Sequence, residues 1–366
     1  MSDKHQNPFL LLGVILAITA SAIHTGCQSE RQIRIQRISE AVESLTDSRT
    51  RVVWIQDAGD NRDVFAHGDQ LQLMAYDSHD GQGSRALLEE ISHYSKPLIT
   101  PNGNRVIFSN FHDKTVHISD FYGSSLKKLT DGMGLAVWQD PETGTEWVYV
   151  GRDRVDRRGT PYQTVYRIQI DDPDAEELVW DHRMVGADNF QLSADGRYAS
   201  GVYPWPDAGV ADLEDNSWSR LGRGCWPSMA PDNSNLFWIF EENHRAVSMF
   251  DTRNDRSSQV MIDTAPGIDG YEVYHPRWTN HPRFMTMTGP YKHRSGGNNI
   301  RGGGPDVEVY IGRFNGDFTE IEAWVRVTES ERAAFYPDVW IESDSAMARN
   351  SEGIQPIGGS LTQDPW

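Results

Sequence analysis

Two stretches of this acidic chain concentrate cationic side chains at spacings that suit anion capture. The first carries Arg152, Arg154, Arg157 and Arg158 against Asp153 and Asp156. The second carries Lys292, His293, Arg294 and Arg301 among Gly296-Gly297 and Gly302-Gly303-Gly304. Planar guanidinium forks beside exposed backbone N–H groups suit carboxylate, sulfate or phosphate oxygens. The glycine run is not a nucleotide loop, because it lacks the Gly-Lys-Ser/Thr ending and the helix that must follow. The competing reading is internal Arg–Asp pairing on a wet rim, where such pairs are common and weak.

A third candidate stretch runs from Tyr271 to Pro282 and holds His275, Trp278 and His281. Imidazoles bind divalent metals or act as acid–base groups. No histidine has His-x-x-x-His spacing, so a metal reading rests on convergence in space. Trp278 joins the ligand-binding candidates; its alternative is packing between sheets, with His275 capping the strand. Serine-hydrolase chemistry lacks its Gly-x-Ser-x-Gly elbow. A glycosidase needs two carboxylates at a set separation, a distance that sequence does not supply.

A repeated phrase supplies the scaffold for these residues. It reads Pro97-Leu98-Ile99-Thr100-Pro101-Asn102-Gly103, returns as Phe190-Gln191-Leu192-Ser193-Ala194-Asp195-Gly196, and again as Pro227-Ser228-Met229-Ala230-Pro231-Asp232-Asn233. A looser copy runs from Pro276 to Met285. Each copy is an apolar strand, a polar turn and a second apolar strand. Asp or Asn followed by Gly or Asn predicts a two-residue hairpin turn with positive φ. Spacings of roughly 40–50 residues predict radial repetition of a four-stranded unit, an all-β six-bladed propeller. The first blade takes strands near Val52 and Leu71 and is closed by Tyr336–Ile341, so that strands from both termini complete one sheet and remove an edge. The others span 94–131, 134–183, 187–222, 225–264 and 272–328.

The Thr100-Pro101-Asn102-Gly103, Ser193-Ala194-Asp195-Gly196 and Ala230-Pro231-Asp232-Asn233 turns, with their strands, resemble the TolB-type six-bladed propeller repeat over roughly 51–342. That resemblance implies architecture and leaves function open, since such propellers serve as peptidase gates, adaptors and lyases. The His275-Pro276-x-Trp278 opening is also similar to oligogalacturonate lyases. Their propellers hold a divalent metal through histidines, which implies His275 as a metal ligand here.

Propeller topology places second-to-third connections and blade-to-blade connections on one face. Three enlarged connections, Asp57–Gln70, Gly151–Gln163 and Gly289–Asp306, crowd that rim, and long loops in compact domains are usually functional or disordered. Both basic stretches fall there. So do His67, His93, His112, His182, His244, His275 and His293.

The remaining features give an address. A formal charge of −19 argues against nucleic acid as a partner. Pro8 to Ile23 is an uncharged, mostly apolar run, shorter than the ~20 residues of a spanning helix, and reads as a signal core. Ile23-His24-Thr25-Gly26-Cys27 resembles the bacterial lipoprotein cleavage box, implying Cys27 as the lipidation site, with His24 where an aliphatic residue is usual. The alternatives are an uncleaved anchor and plain secretion; all three put the folded part outside the cytoplasm. Residues 1–27 are thus a signal or anchor segment, 28–50 a polar stalk or short helix, 51–342 the propeller and 343–366 a disordered tail. The leading functional expectation is a non-catalytic propeller that binds a ligand or protein partner on its loop-rich face. The alternative is a metal-dependent lyase acting on an acidic glycan.

Overall fold

The computed structural model describes residues 29–343, apart from 62, 64, 157–160, 188, 252–255, 269 and 292–303. Arg157, Arg158, Lys292, Arg294, Arg301 and Cys27 lie outside the described residues. The described chain forms six four-stranded antiparallel sheets, each built from strands consecutive in sequence except one. In that sheet Ala334–Ile341 lies innermost, followed outward by Thr50–Asp57, Leu71–Asp77 and Arg85–Ser92. The ring is therefore closed by one strand from the far end of the chain and three from the near end. The other inner strands are Tyr94–Ile99, Met133–Gln139, Phe190–Leu192, Cys225–Met229 and Glu272–Trp278.

The repeated turns are longer than the sequence suggests. Thr100 N bonds Arg105 O and Ser193 N bonds Tyr198 O, leaving four residues in each turn, while Ala230 N reaches Leu236 O across five. Gly103 and Gly196 sit at φ +78° and +75°, but in the fifth blade the left-handed residue is Asn235. Packing explains the two glycines. A Cβ on Gly103 would lie 2.5 Å from the Trp340 ring, and one on Gly196 would lie 2.6 Å from Trp138. Those tryptophans belong to the preceding blades and donate Nε1–H to Pro101 O and Ala194 O. The turn thus serves as the socket for its neighbour's indole, and this joins blade to blade.

Residues 29–46 form a helix laid against the closure. Ile35, Val42 and Leu45 are buried, whereas Ile33 is 66% exposed. Its polar contacts bridge the first and last blades: Tyr76 Oη meets Ser39 Oγ at 3.1 Å, Arg37 pairs with Glu329 at 2.6 Å, and Arg313 donates to Leu45 O.

Candidate functional site

Four inner strands share one irregularity. In each, a residue and the proline after it stand opposite a single residue of the neighbouring strand: Lys96-Pro97, Trp226-Pro227, His275-Pro276 and Tyr336-Pro337. Proline suits such a bulge because it has no N–H to leave unpaired. The residue before it takes a left-handed backbone, with φ of 42°, 48°, 53° and 48° respectively. Bulky residues avoid that region, at a cost of roughly 1–3 kcal/mol each, and such strain collects where function needs a side chain re-aimed. All four side chains line one half-enclosed cavity, together with Pro97, Leu98, Arg277 and Pro337.

His275 is the centre of this cluster. Its ring lies 4.4 Å from Tyr336, 4.5 Å from Tyr274 and 5.1 Å from Trp226, centre to centre. It is 1% exposed. Burial, with a smaller push from His67, holds the ring neutral, well below the ordinary imidazole range. Its Nδ1 lies 2.9 Å from Thr288 Oγ1, and its Nε2 is buried without a partner among the described residues. Lys96, also buried, donates to the Ala187 carbonyl. Arg277 Nε sits 2.8 Å from Asp338 Oδ1.

Above this cavity the loop 58–70 reaches across from the first blade. Asp63 caps its backbone by accepting from Phe65 N and Gly68 N, and Tyr336 Oη donates to Phe65 O at 3.2 Å. The His67 ring lies between Phe65 and Phe111, at 5.8 and 5.7 Å, and the Arg154 guanidinium covers Phe111 at 4.5 Å. His93 stacks on His112 at 5.0 Å beside them. Connections from the first two blades and the end of the third blade's second strand therefore meet on one face as a row of rings ending in a cation. Phe65 is 38% exposed, and His67 is exposed as well.

Several site expectations change in this light. Arg152 belongs to the second strand of its blade and not to the loop; it forms a bidentate pair with Glu176 at 2.7 and 2.6 Å, so its charge is already met. Arg154 does reach the rim, but over an aromatic ring. Trp278 is 0% exposed and stacks on Trp238 at 4.2 Å, so it packs as core. That stack is worth about 0.5–1.5 kcal/mol beyond the area it buries. His275 is enclosed by aromatic rings, and among the described residues no three His, Cys, Asp or Glu side chains converge as a metal set. Lys96, Trp226, Tyr336, Phe65 and Phe111 did not emerge from the sequence. For Lys96, Trp226 and Tyr336 the one available signal was their place before a proline at the same point of the repeat; Phe65 and Phe111 carried none.

No protein-family model matches the chain, and no curated protein matches it. Among solved structures, TolB from Acinetobacter baumannii is similar at 12% identity and TM-score 0.51, over 80% of this chain and 67% of that one. A chain of a nidogen/laminin complex aligns at 10% identity and TM-score 0.38, over 57% of this chain and 91% of that one. The likeness to TolB is one of fold, the six-bladed propeller.

Proposed function

We propose that this protein is an exported propeller, held at a membrane through Cys27, that binds a protein partner on its loop-bearing face without chemistry of its own. The observation that carries this reading is the row Phe65–His67–Phe111–Arg154. Aromatic residues and Arg are the types enriched at interface centres, where rigid rings lose little side-chain entropy on binding. The row is also held in place before any partner arrives, because Asp63 and Tyr336 fix the loop that carries Phe65. Such preorganisation lowers the cost of association.

Photo-crosslinking in producing cells tests the proposal. A crosslinker at His67 is expected to give one discrete protein adduct. A crosslinker at Glu142, in an inner-to-second turn on the opposite face, is expected to give none. Adducts of equal yield from both positions, or none from either, would overturn the assignment of the face.

A further inference from the structure

The cavity at the axis has an unsatisfied acceptor, and the surrounding hydrogen bonds say which kind. The Thr288 hydroxyl has a single proton and three neighbours: the Tyr274 carbonyl at 3.2 Å, Tyr291 Oη at 3.1 Å and His275 Nδ1 at 2.9 Å. A carbonyl only accepts, so we assign the threonine proton to Tyr274; in that arrangement His275 Nδ1 carries the ring proton and donates to Thr288. Nε2 is left as a bare lone pair, buried and without a partner among the described residues. A buried acceptor left unmade is costly, so it calls for a donor. Arg277 lines the same cavity; its Nε lies 2.8 Å from Asp338 Oδ1 as an ion pair, yet its N–H is buried without a hydrogen-bond partner among the described residues, so the guanidinium still offers donors toward a ligand oxygen.

We propose that this cavity is a binding site for a polyol, a compact molecule whose hydroxyl donates to His275 Nε2 while its oxygens accept from Arg277. A hydroxyl is the group that does both at once. Trp226, Tyr336, Pro97 and Pro337 supply apolar walls for the C–H face of such a molecule. The space is about 230 Å³ including the part open to solvent, and its closed part holds about one water molecule, the size of one hydroxyl group. The four left-handed bulges that build these walls all serve this one cavity. The site lies beneath the loop-bearing face and does not depend on the partner-binding reading.

The test uses the whole soluble domain with 15N-labelled histidine. Glycerol is titrated against its trimethyl ether, which keeps the three oxygens and has no O–H donor. The His275 Nε2 resonance is expected to move saturably with glycerol and at least tenfold less readily with the ether. His275→Phe, which keeps a ring and removes the acceptor, is expected to abolish the difference between glycerol and the ether, read for wild type and variants alike as the ligand-induced shift of the thermal midpoint, and His275→Gln to retain part of it. Should both variants fail to fold, the wild-type titration alone decides. Equal responses to glycerol and ether, no saturable shift, or saturation of Nε2 by zinc in place of glycerol would each overturn the proposal.

Discussion

Asp338 and Arg277 meet at 2.8 Å beside the axis, across the seam where the first and last blades join. The same carboxylate accepts the Ile99 amide at 2.8 Å through its other oxygen. One side chain on the closing strand therefore holds a neighbour on each side. Both ionic partners are buried, so water does little to soften the loss of either.

Asp338→Asn keeps a hydrogen-bond acceptor for Ile99 but leaves the Arg277 charge without its carboxylate. We expect a loss of about 3–5 kcal/mol by urea denaturation, the usual penalty for one orphaned member of a buried pair. Asp338→Asn combined with Arg277→Met is expected to recover part of that loss. A double variant no better than the single one would show that the pair does not act as a unit.

Gly196→Ala separates two costs. At φ +75° any side chain meets the left-handed penalty of about 1–2 kcal/mol, and here the new methyl would also strike the Trp138 ring. Overpacking adds about 1–3 kcal/mol. Gly144→Ala is the control, since Gly144 has φ +73° and nothing within 4 Å of a new Cβ. The Gly196 variant is expected to be the less stable of the two by the overpacking part alone, read from denaturation midpoints. Equal midpoints would remove Trp138 from the account.

These two cases show what the sequence could and could not carry. The blades were legible because their turns are local chemistry: Asn102-Gly103 and Asp195-Gly196 write positive φ and a chain reversal into a few adjacent residues. The ring closure followed because Tyr336-Pro337 repeats the opening of the other blades. The site was not legible, because which way Lys96, Trp226, His275 and Tyr336 point depends on a bulge against a neighbouring strand. Trp278 illustrates the same limit. Its type suits a ligand platform or a core equally, and only the stack on Trp238 decides. Arg152 was misplaced because its strand runs three residues past Gly151, far enough for Arg152 to meet Glu176.

Glu308 gives the stability curve a direction. Burial pushes its carboxyl up to about 7, against the lowering effect of hydrogen bonds from Thr328 and Ser330. The folded state then binds a proton that the unfolded state releases from about pH 4.5 upward, so stability falls as pH rises from about 4.5 to 7. The span corresponds to a loss on the order of 3 kcal/mol. His275 acts in the opposite sense: its depressed value costs stability as pH falls below about 6.5. Glu308→Gln is therefore compared with wild type at pH 5 and pH 7.5, where the His275 contribution cancels. The variant is expected to gain relative stability at the higher pH. A difference that does not change between the two values would refute the burial argument for Glu308.

A tether through Cys27 would be short, and that makes the proposed attachment testable. Cys27 precedes the first described helical residue by two positions, a reach of about 7 Å for extended chain. The helix it leads into is fixed to the disc by the Arg37–Glu329 pair and by Ile35, Val42 and Leu45. An acyl chain at Cys27 would therefore hold the seam between the first and last blades against the bilayer, in addition to retaining the protein there. A single chain binds reversibly, so firm attachment calls for the multiple acylation that lipoprotein processing supplies. Cys27→Ala, with residues 8–23 retained, is expected to move the protein from the membrane to the soluble fraction, measured by fractionation of producing cells. Persistent membrane association of that variant would mean that residues 8–23 remain as an anchor and that Cys27 carries nothing.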